Sequence, residues 1–283
     1  MKIFKKITIY LIVLILMISS VYTCYADSYF MEDGFKYSVS NGYATIVGYE
    51  GTDNVVEIPL DFNGFVVNTI DMAAFSGNDN ITEIKLPYLL RYINSSAFAN
   101  MKSLKSINIP ELCEQMGSHT FDGCEGLSDV LMETASLKTI TERAFYNCVS
   151  LESFVVPYGT ESIKDFAFEN CTSLKYITIP NTVTEISDSA FSGVDNLCII
   201  CSEGSQAEEY AELWGADCYH IGDSNADGKV NILDVTAIQK YKIGEQELSE
   251  YGMRCADVNH DGSITVRDAT LIQMKLAKYD VDF

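Results

Sequence analysis

The sequence predicts a chain in two parts: a mostly β solenoid of stacked parallel strands, then a small all-α module built on two acidic loops. Three observations carry that prediction. Phe75, Phe98, Phe121, Phe145, Phe168 and Phe191 recur at spacings of 23, 23, 24, 23 and 23 residues. A short stretch of alternating apolar and polar residues recurs with them. Near the C-terminus one acidic loop appears twice, 34 residues apart.

The repeat sets the architecture of the first part. Ile81, Leu104, Leu127, Leu151, Leu174 and Leu197 keep the Phe spacing, as do Ile70, Ile93, Met116, Ile140, Ile163 and Ile186. The fullest copies read Ser103-Leu104-Lys105-Ser106-Ile107-Asn108-Ile109-Pro110 and Ser173-Leu174-Lys175-Tyr176-Ile177-Thr178-Ile179-Pro180. Alternation predicts a strand with one face buried, and the Pro ends it because it cannot donate to a ladder. A second stretch (Val183-Thr184-Glu185-Ile186) and a tight turn around Ala-Phe complete each unit. One such unit cannot bury its apolar face alone. Stacked units can, each Phe lying on its equivalent one turn away. In the third unit Val130-Leu131-Met132-Glu133 lacks the Pro and His119-Thr120 replaces Ser-Ala, which predicts a local irregularity in the stack.

The Leu-x-x-Ile-x-Ile-Pro and Ala-Phe-x-x-Cys stretches, whole around Phe145 and Phe168, resemble the BspA-like, surface-antigen class of bacterial leucine-rich repeat. The resemblance covers roughly residues 30–220. It implies a leucine-rich repeat solenoid of about 23-residue units with a Phe ladder. Tyr43 to Pro59 looks like the family's N-terminal cap, and Gly204-Ser205-Gln206-Ala207-Glu208-Glu209-Tyr210-Ala211 like its closing helix. Such covers are needed because open strand edges invite aggregation. The family is associated with protein or glycan recognition at cell surfaces. The outward strand positions are expected at Glu83, Lys85, Ser106, Asn108, Asp129, Leu131, Ser153, Val155, Tyr176 and Thr178. Of these, Leu131, Val155 and Tyr176 would form an apolar candidate ligand face, although scattered apolar residues are ordinary on any surface.

The second part is carried by Asp223-Ser224-Asn225-Ala226-Asp227-Gly228-Lys229-Val230-Asn231-Ile232-Leu233-Asp234. It recurs as Asp257-Val258-Asn259-His260-Asp261-Gly262-Ser263-Ile264-Thr265-Val266-Arg267-Asp268. Oxygen-bearing residues fall at loop positions 1, 3, 5, 9 and 12, with Gly at 6. Alternate residues of a curled loop point at one cation, Gly takes the sharp turn, and the carbonyl at position 7 (Lys229, Ser263) joins them. Two calcium ions are therefore expected, held by Asp223, Asn225, Asp227, Lys229, Asn231 and Asp234, and by Asp257, Asn259, Asp261, Ser263, Thr265 and Asp268. Without a cation the clustered acids, with Asp280 nearby, would repel one another. A helical pattern follows each loop, at Val235-Thr236-Ala237-Ile238 and Ala269-Thr270-Leu271-Ile272.

Asp rather than Glu at position 12, and no helix before the first loop, resemble the dockerin module, with its two EF-hand-like loops. The match covers residues 222–283. It implies a cohesin module on a scaffolding protein as partner. The contact residues implied are Ile232, Leu233, Gln239 and Lys240 in the first copy, and Val266, Arg267, Gln273 and Met274 in the second. Duplication implies two docking orientations, but Leu233 against Arg267 and Lys240 against Met274 make the faces unequal. Ile232-Leu233 is the better apolar anchor. Cys218-Tyr219-His220-Ile221-Gly222 is a short join, so the plug should sit close against the solenoid end.

Nine Cys occur. Cys124, Cys148 and Cys171 each follow the Phe by three residues, so they stack as a ladder. One residue type at one repeat position reads as a small buried filler, and free thiols are expected there. Export would also permit disulfides. Cys113, Cys198, Cys201, Cys218 and Cys255 share no such spacing. Cys198 and Cys201 form a C-x-x-C, but His119, His220 and His260 are too scattered to complete a zinc site. Its place in a repeat strand, away from a helix start, argues against a redox active site.

Composition narrows the functional classes. The chain has 283 residues, with 19 Lys plus Arg against 40 Asp plus Glu and a formal charge of −21. So acidic a chain lacks the basic footprint of nucleic-acid binding and disfavours anionic membranes. Met1–Ala26 differs: three Lys, then an apolar run from Ile7 to Ile18, then Cys24-Tyr25-Ala26 before Asp27. This is the layout of a cleaved secretory signal, since the run is shorter than the roughly 20 residues of a spanning helix. A lipid-attachment role for Cys24 fits poorly with Val21-Tyr22-Thr23. The domains expected are thus a signal at 1–26, the solenoid with caps at 27–221 and the dockerin at 222–283.

No catalytic constellation appears. A glycosidase needs paired carboxylates across a sugar cleft, and the repeats leave no room for such a domain. The expected function is a non-catalytic, secreted recognition or adhesion protein, surface-associated through a cellulosome-type scaffold in a polysaccharide-degradation setting. The alternatives are a free cell-surface adhesin with structural calcium loops, and an accessory component of a glycoside hydrolase complex.

Overall fold

The computed structural model describes residues 29–132, 136–279 and 281. The predicted signal, with Cys24, lies outside the described residues, as do Glu133 and Asp280. The chain opens with an antiparallel meander of β1 (Phe30–Glu32), β2 (Phe35–Ser40) and β3 (Tyr43–Tyr49). Its turns are Asp33-Gly34 and Asn41-Gly42, all four residues at positive φ. This is the two-residue hairpin geometry that Asp-Gly and Asn-Gly favour. The cap therefore begins at Phe30 and not at Tyr43.

Two stacks of short strands follow. One holds β6 (Phe65–Ile70), β8 (Tyr92–Ile93) and β10 (Gln115–Met116), then β12 (Thr139–Ile140), β14 (Ser162–Ile163) and β16 (Glu185–Ile186). β3 pairs in parallel with β6, which joins the cap to this stack, and β5 (Asp61–Phe62) forms a hairpin with β6. The other holds β4 (Val55–Glu57), β7 (Glu83–Lys85), β9 (Ser106–Ile109) and β11 (Asp129–Met132), then β13 (Ser153–Val155), β15 (Tyr176–Ile179), β17 (Cys198–Cys201) and β18 (Asp217–His220). Within the stacks successive strands are parallel, and equivalent residues pair, as Ile84 with Ile107 and Ile177 with Ile199. Their inward side chains fill one continuous core.

The third side is the turn that carries the Phe ladder. Adjacent rings from Phe75 to Phe191 lie 5.2–5.5 Å apart with interplanar angles of 6–24°. Each offset-stacked pair contributes about 0.5–1.5 kcal/mol beyond area burial. Main-chain bonds run alongside: Phe75, Phe98, Phe121, Phe145 and Phe168 donate N–H to the carbonyls of Ala97, Thr120, Ala144, Ala167 and Ala190. Two residues after each Phe stands Gly77, Asn100, Gly123, Asn147, Asn170 or Gly193, every one at positive φ. Only Gly and Asn visit that region readily.

The cysteine ladder is more than filler. All eight described cysteines are thiols. Cys124, Cys148 and Cys171 Sγ donate to the carbonyls of Phe98, Phe121 and Phe145 at 3.0, 3.2 and 3.0 Å. Each satisfies a buried carbonyl of the preceding turn, and burial pushes Cys124 and Cys171 up to about 12.

The irregular third unit falls at a break. Among the described residues neither β10 with β12 nor β11 with β13 forms a ladder, so both stacks are interrupted between the third and fourth Phe. The turn side is not: His119, Phe121 and Gly123 donate N–H across the break to Glu142, Ala144 and Tyr146. Thr120, in the Ala position and fully buried, gives its hydroxyl to the Gly117 carbonyl, which Thr141 Oγ1 also bonds at 2.8 Å.

The closing helix is α1 (Gln206–Trp214), capped by Ser205 and ended by Gly215 at φ 67°. Its Tyr210 meets Phe191 edge-on at 5.8 Å, which ends the ladder. The chain does not stop there. β18 adds a further parallel strand to β17, Cys198 opposite Asp217 and Cys201 opposite His220. The short join expected at Cys218–Gly222 is thus mostly a strand of the solenoid sheet. Three helices follow, α2 (Ile232–Lys242), α3 (Glu250–Ala256) and α4 (Val266–Leu276), and α2 and α4 pack on each other.

Candidate calcium-loop and docking site

Both acidic loops fold by the same local chemistry. In the first, Asp223 Oδ1 accepts Asp227 N–H at 3.0 Å and Oδ2 accepts Gly228 N–H at 2.8 Å. Asn225 Oδ1 accepts Asp227 N–H and Asp227 Oδ1 accepts Lys229 N–H. In the second, Asp257 accepts Asp261 and Gly262 N–H at 3.2 and 2.9 Å, Asn259 accepts Asp261, and Asp261 accepts Ser263. Gly228 and Gly262 stand at φ 85° and 82°, where nearly any other residue is strained.

Asn231 and Thr265 are helix N-caps. Asn231 Oδ1 accepts Leu233 N–H and Thr265 Oγ1 accepts Arg267 N–H. Asp234 and Asp268 answer three residues on, taking the N–H of Asn231 and Thr265 at 2.7 Å each. These are reciprocal capping boxes, and they commit the side chains that the spacing had offered as ligands at position 9. That position often reaches the cation through water.

Asp223, Asp234 and Asp268 are buried. Burial first, then neighbouring loop carboxylates, holds the Asp234 carboxyl above the usual range, and burial does the same for Asp257. Among the described residues no three His, Cys, Asp or Glu side chains gather as a ready-made metal cluster. The donor set is nonetheless oxygen only, with three carboxylates, an Asn and a position-7 carbonyl per loop. Such a set suits a hard cation, whose charge would offset the burial of these acids.

The helices opened by these caps present the residues implied for docking. Ile232 and Leu233 are each 57% exposed and Val266 61%. Gln239, Lys240, Arg267 and Gln273 are exposed too, and Met274 is half-buried.

The three residues expected on the repeat surface differ in exposure. Leu131 and Val155 are exposed, but Tyr176 is covered by α3. Tyr251 meets the Tyr176 ring edge-on at 5.9 Å and stacks on Tyr219 at 4.4 Å, and the Arg254 guanidinium lies 3.9 Å over Tyr176. Cys198 and Ile200 of β17 share a second core with Val235, Ile238, Leu248 and Cys255 of the helical module. Tyr176 lies on β15, close to the end of the stack, and the plug uses the outward surface of β15, β17 and β18 as its floor. Sequence reasoning missed Tyr219, Tyr251, Arg254 and Gly252. A Gly inside a helical pattern was a legible signal, since it marks close approach: a Cβ on Gly252 would stand 2.3 Å from the Ser224 carbonyl oxygen.

Residues 67–205 match the BspA type leucine rich repeat region, in six copies, and residues 221–277 match the dockerin type I domain. A leucine rich cell surface protein from Faecalibacterium prausnitzii is similar at 23% identity, with a TM-score of 0.55 over 72% of this chain and 58% of that one. A leucine-rich repeat protein from Eubacterium ventriosum is similar at 21% identity, with a TM-score of 0.51 over 59% of this chain and 50% of that one. The chain thus spans half to about three-fifths of the length of these relatives, and the likeness shows the fold. No curated protein sequence matches the chain. Among the described residues no helix is long and apolar enough to cross a membrane. The solenoid is a BspA-type leucine-rich repeat region, and the helical module seated on its end is a type I dockerin domain.

Proposed function

We propose that this is a non-catalytic, secreted recognition protein that a calcium-ordered dockerin fastens to a cohesin on a cellulosome-type scaffold, in a polysaccharide-degrading setting. Leucine-rich repeats and dockerins are interaction modules, and type I dockerins bind calcium. One observation carries the reading. Two acidic loops with the same hydrogen-bond scheme each open a helix whose first two residues project into solvent.

Asp223, Asn225, Asp227, the Lys229 carbonyl and Asp234 would hold one ion. Asp257, Asn259, Asp261, the Ser263 carbonyl and Asp268 would hold a second. Calcium supplies the positive charge that lets buried carboxylates of one loop stay ionised side by side. The capping boxes then fix the direction of α2 and α4, and so the positions of Ile232, Leu233, Val266 and Arg267. An apolar pair at a rigid helix start is a suitable anchor for a partner surface. The repeats would display their own surface for a protein or glycan, with Leu131 and Val155 its apolar part.

The test is binding of the purified chain to a panel of cohesins with calcium and with chelator. Tight binding lost on chelation, and weakened at least tenfold by Ile232→Asp with Leu233→Asp, is expected. Calcium stabilisation without binding to any cohesin would instead indicate a free adhesin.

A further inference from the structure

We propose that Cys201 and Cys218 form an intrachain disulfide that staples the closing helix into the solenoid sheet. Their Sγ atoms lie 3.1 Å apart. The pair sits on adjacent parallel strands, β17 and β18, where the register sets Ile199 opposite Cys218 and Cys201 opposite His220. The two cysteines are therefore diagonal neighbours, two residues offset on the same face. That face is inward: Ile199, Cys201 and Cys218 belong to the solenoid core, while Cys198, Ile200 and Tyr219 face the dockerin. The sulfurs need to close by roughly 1 Å to reach the ~2.05 Å bond, and because diagonal neighbours on adjacent strands lie about 7–8 Å apart, closure also draws the ends of β17 and β18 together.

The other cysteines are differently engaged. Cys124, Cys148 and Cys171 donate to Phe carbonyls, and Cys113 to the carbonyl of Gln115. Cys198 and Cys255 lie in the second core, on the opposite side of the sheet. Within this pair the thiols differ. Cys218 is half-buried and, through the hydrogen bond from Cys201, held below the usual thiol range. Cys201 is fully buried and pushed up by the same contact. Cys218, the more exposed of the two, is the thiol that an external disulfide can reach first.

The oxidant required is a low-molecular-weight or protein disulfide. The Cys218 thiolate attacks one of its sulfurs, breaking that S–S bond and expelling one thiolate. Cys201 then gives up its proton and attacks the Cys218 sulfur, expelling the second thiolate. Two protein thiols are oxidised to one disulfide and one external disulfide is reduced to two thiols. The loop so closed contains all of α1.

The full chain is incubated folded with oxidised glutathione, alkylated after denaturation, and cut at Glu so that Cys201 and Cys218 fall in separate peptides. The expected product is a peptide pair joined through Cys201 and Cys218, two hydrogens lighter than its separate parts and released by reductant. It should persist in Cys198→Ser and vanish in Cys218→Ser, and oxidation should raise the thermal midpoint by several degrees. Full alkylation of both residues, a stable mixed glutathione adduct at Cys218, or a Cys198–Cys201 bond in their place would overturn the assignment.

Discussion

The two acidic loops share a residue pattern and a hydrogen-bond scheme but not their surroundings. The first begins where β18 ends. Gly222 donates N–H to the Cys255 carbonyl, Ser224 Oγ donates to the Asp234 carbonyl at 2.7 Å, and Gly252 of α3 packs on the Ser224 backbone. Asp223 and Ser224 are buried there. The second loop follows α3, and its Asp257 is only half-buried. Loop one is thus clamped between a sheet, α2 and α3, whereas loop two, which runs on from α3 and enters the second core through Val258 and Ile264, is otherwise held by its own turn and by α4. The lesson is that residue spacing specifies the loop's own hydrogen-bond scheme, while the scaffold around it decides how far the loop is preorganised.

The largest break in this comparison should come from position 12. Asp234→Ala abandons the amides of Asn225 and Asn231, and Asp268→Ala those of Val258 and Thr265. Each buried amide left unpaired costs about 1–3 kcal/mol. In Asp234→Ala the loss should spread into β18 and α3, so hydrogen exchange at Tyr219 and Cys255 accelerates. In Asp268→Ala it should stay within loop two and α4, and calorimetry should count one calcium ion in place of two. Equal effects on β18 exchange would remove the distinction.

Gly252→Ala comes next. Its Cβ would meet the Ser224 carbonyl, and overpacking of this kind costs about 1–3 kcal/mol. Calcium affinity of loop one should fall while that of loop two holds. Tyr251→Ala is of similar size: it removes two aromatic contacts worth about 0.5–1.5 kcal/mol each. Cohesin binding should survive and the thermal midpoint should fall, while the second core still holds the plug on β17.

The smallest effect is acid sensitivity of the cap beside loop one. Glu208 accepts the Gly204 N–H, which holds its carboxyl below the ordinary 4.5, and it pairs with His220 at 2.8 Å. A depressed carboxyl stabilises the fold above its unfolded value and loses that contribution as pH falls through the folded one. Stability of the native chain should therefore decline as pH drops below about 4.5, and the decline should be shallower in Glu208→Gln. Thermal midpoints across that range measure it.

Legibility followed periodicity. The Phe ladder and both strand stacks were readable because every unit makes the same contacts at the same spacing, and the third unit's missing Pro marked the break. The loops were readable because their ligand pattern is local. Tyr176 was misjudged for the converse reason. The period places it outward, but the helix that covers it belongs to a module with another period, so their contact repeats nowhere. The N-terminal cap was placed too late. Asp33-Gly34, Asn41-Gly42 and Asn63-Gly64 mark its hairpins, yet the joining of β3 to β6 is a long-range pairing that no local signal records.

The interruption at the third unit has a mechanical consequence. There the two ladders stop while the turn side keeps three main-chain bonds and the Phe121–Phe145 stack at 5.3 Å. With the strand ladders interrupted on two sides, only the shared core and, among the described residues, the side-chain bonds Thr141–Gly117 and Ser150–Glu125 join those sides, so flexure about the turn edge is the easier deformation. The first three units with their cap, and the last three with the plug, each keep unbroken ladders and share one core and the Phe stack. Load arriving through the scaffold would bend the molecule at this seam before it sheared any ladder.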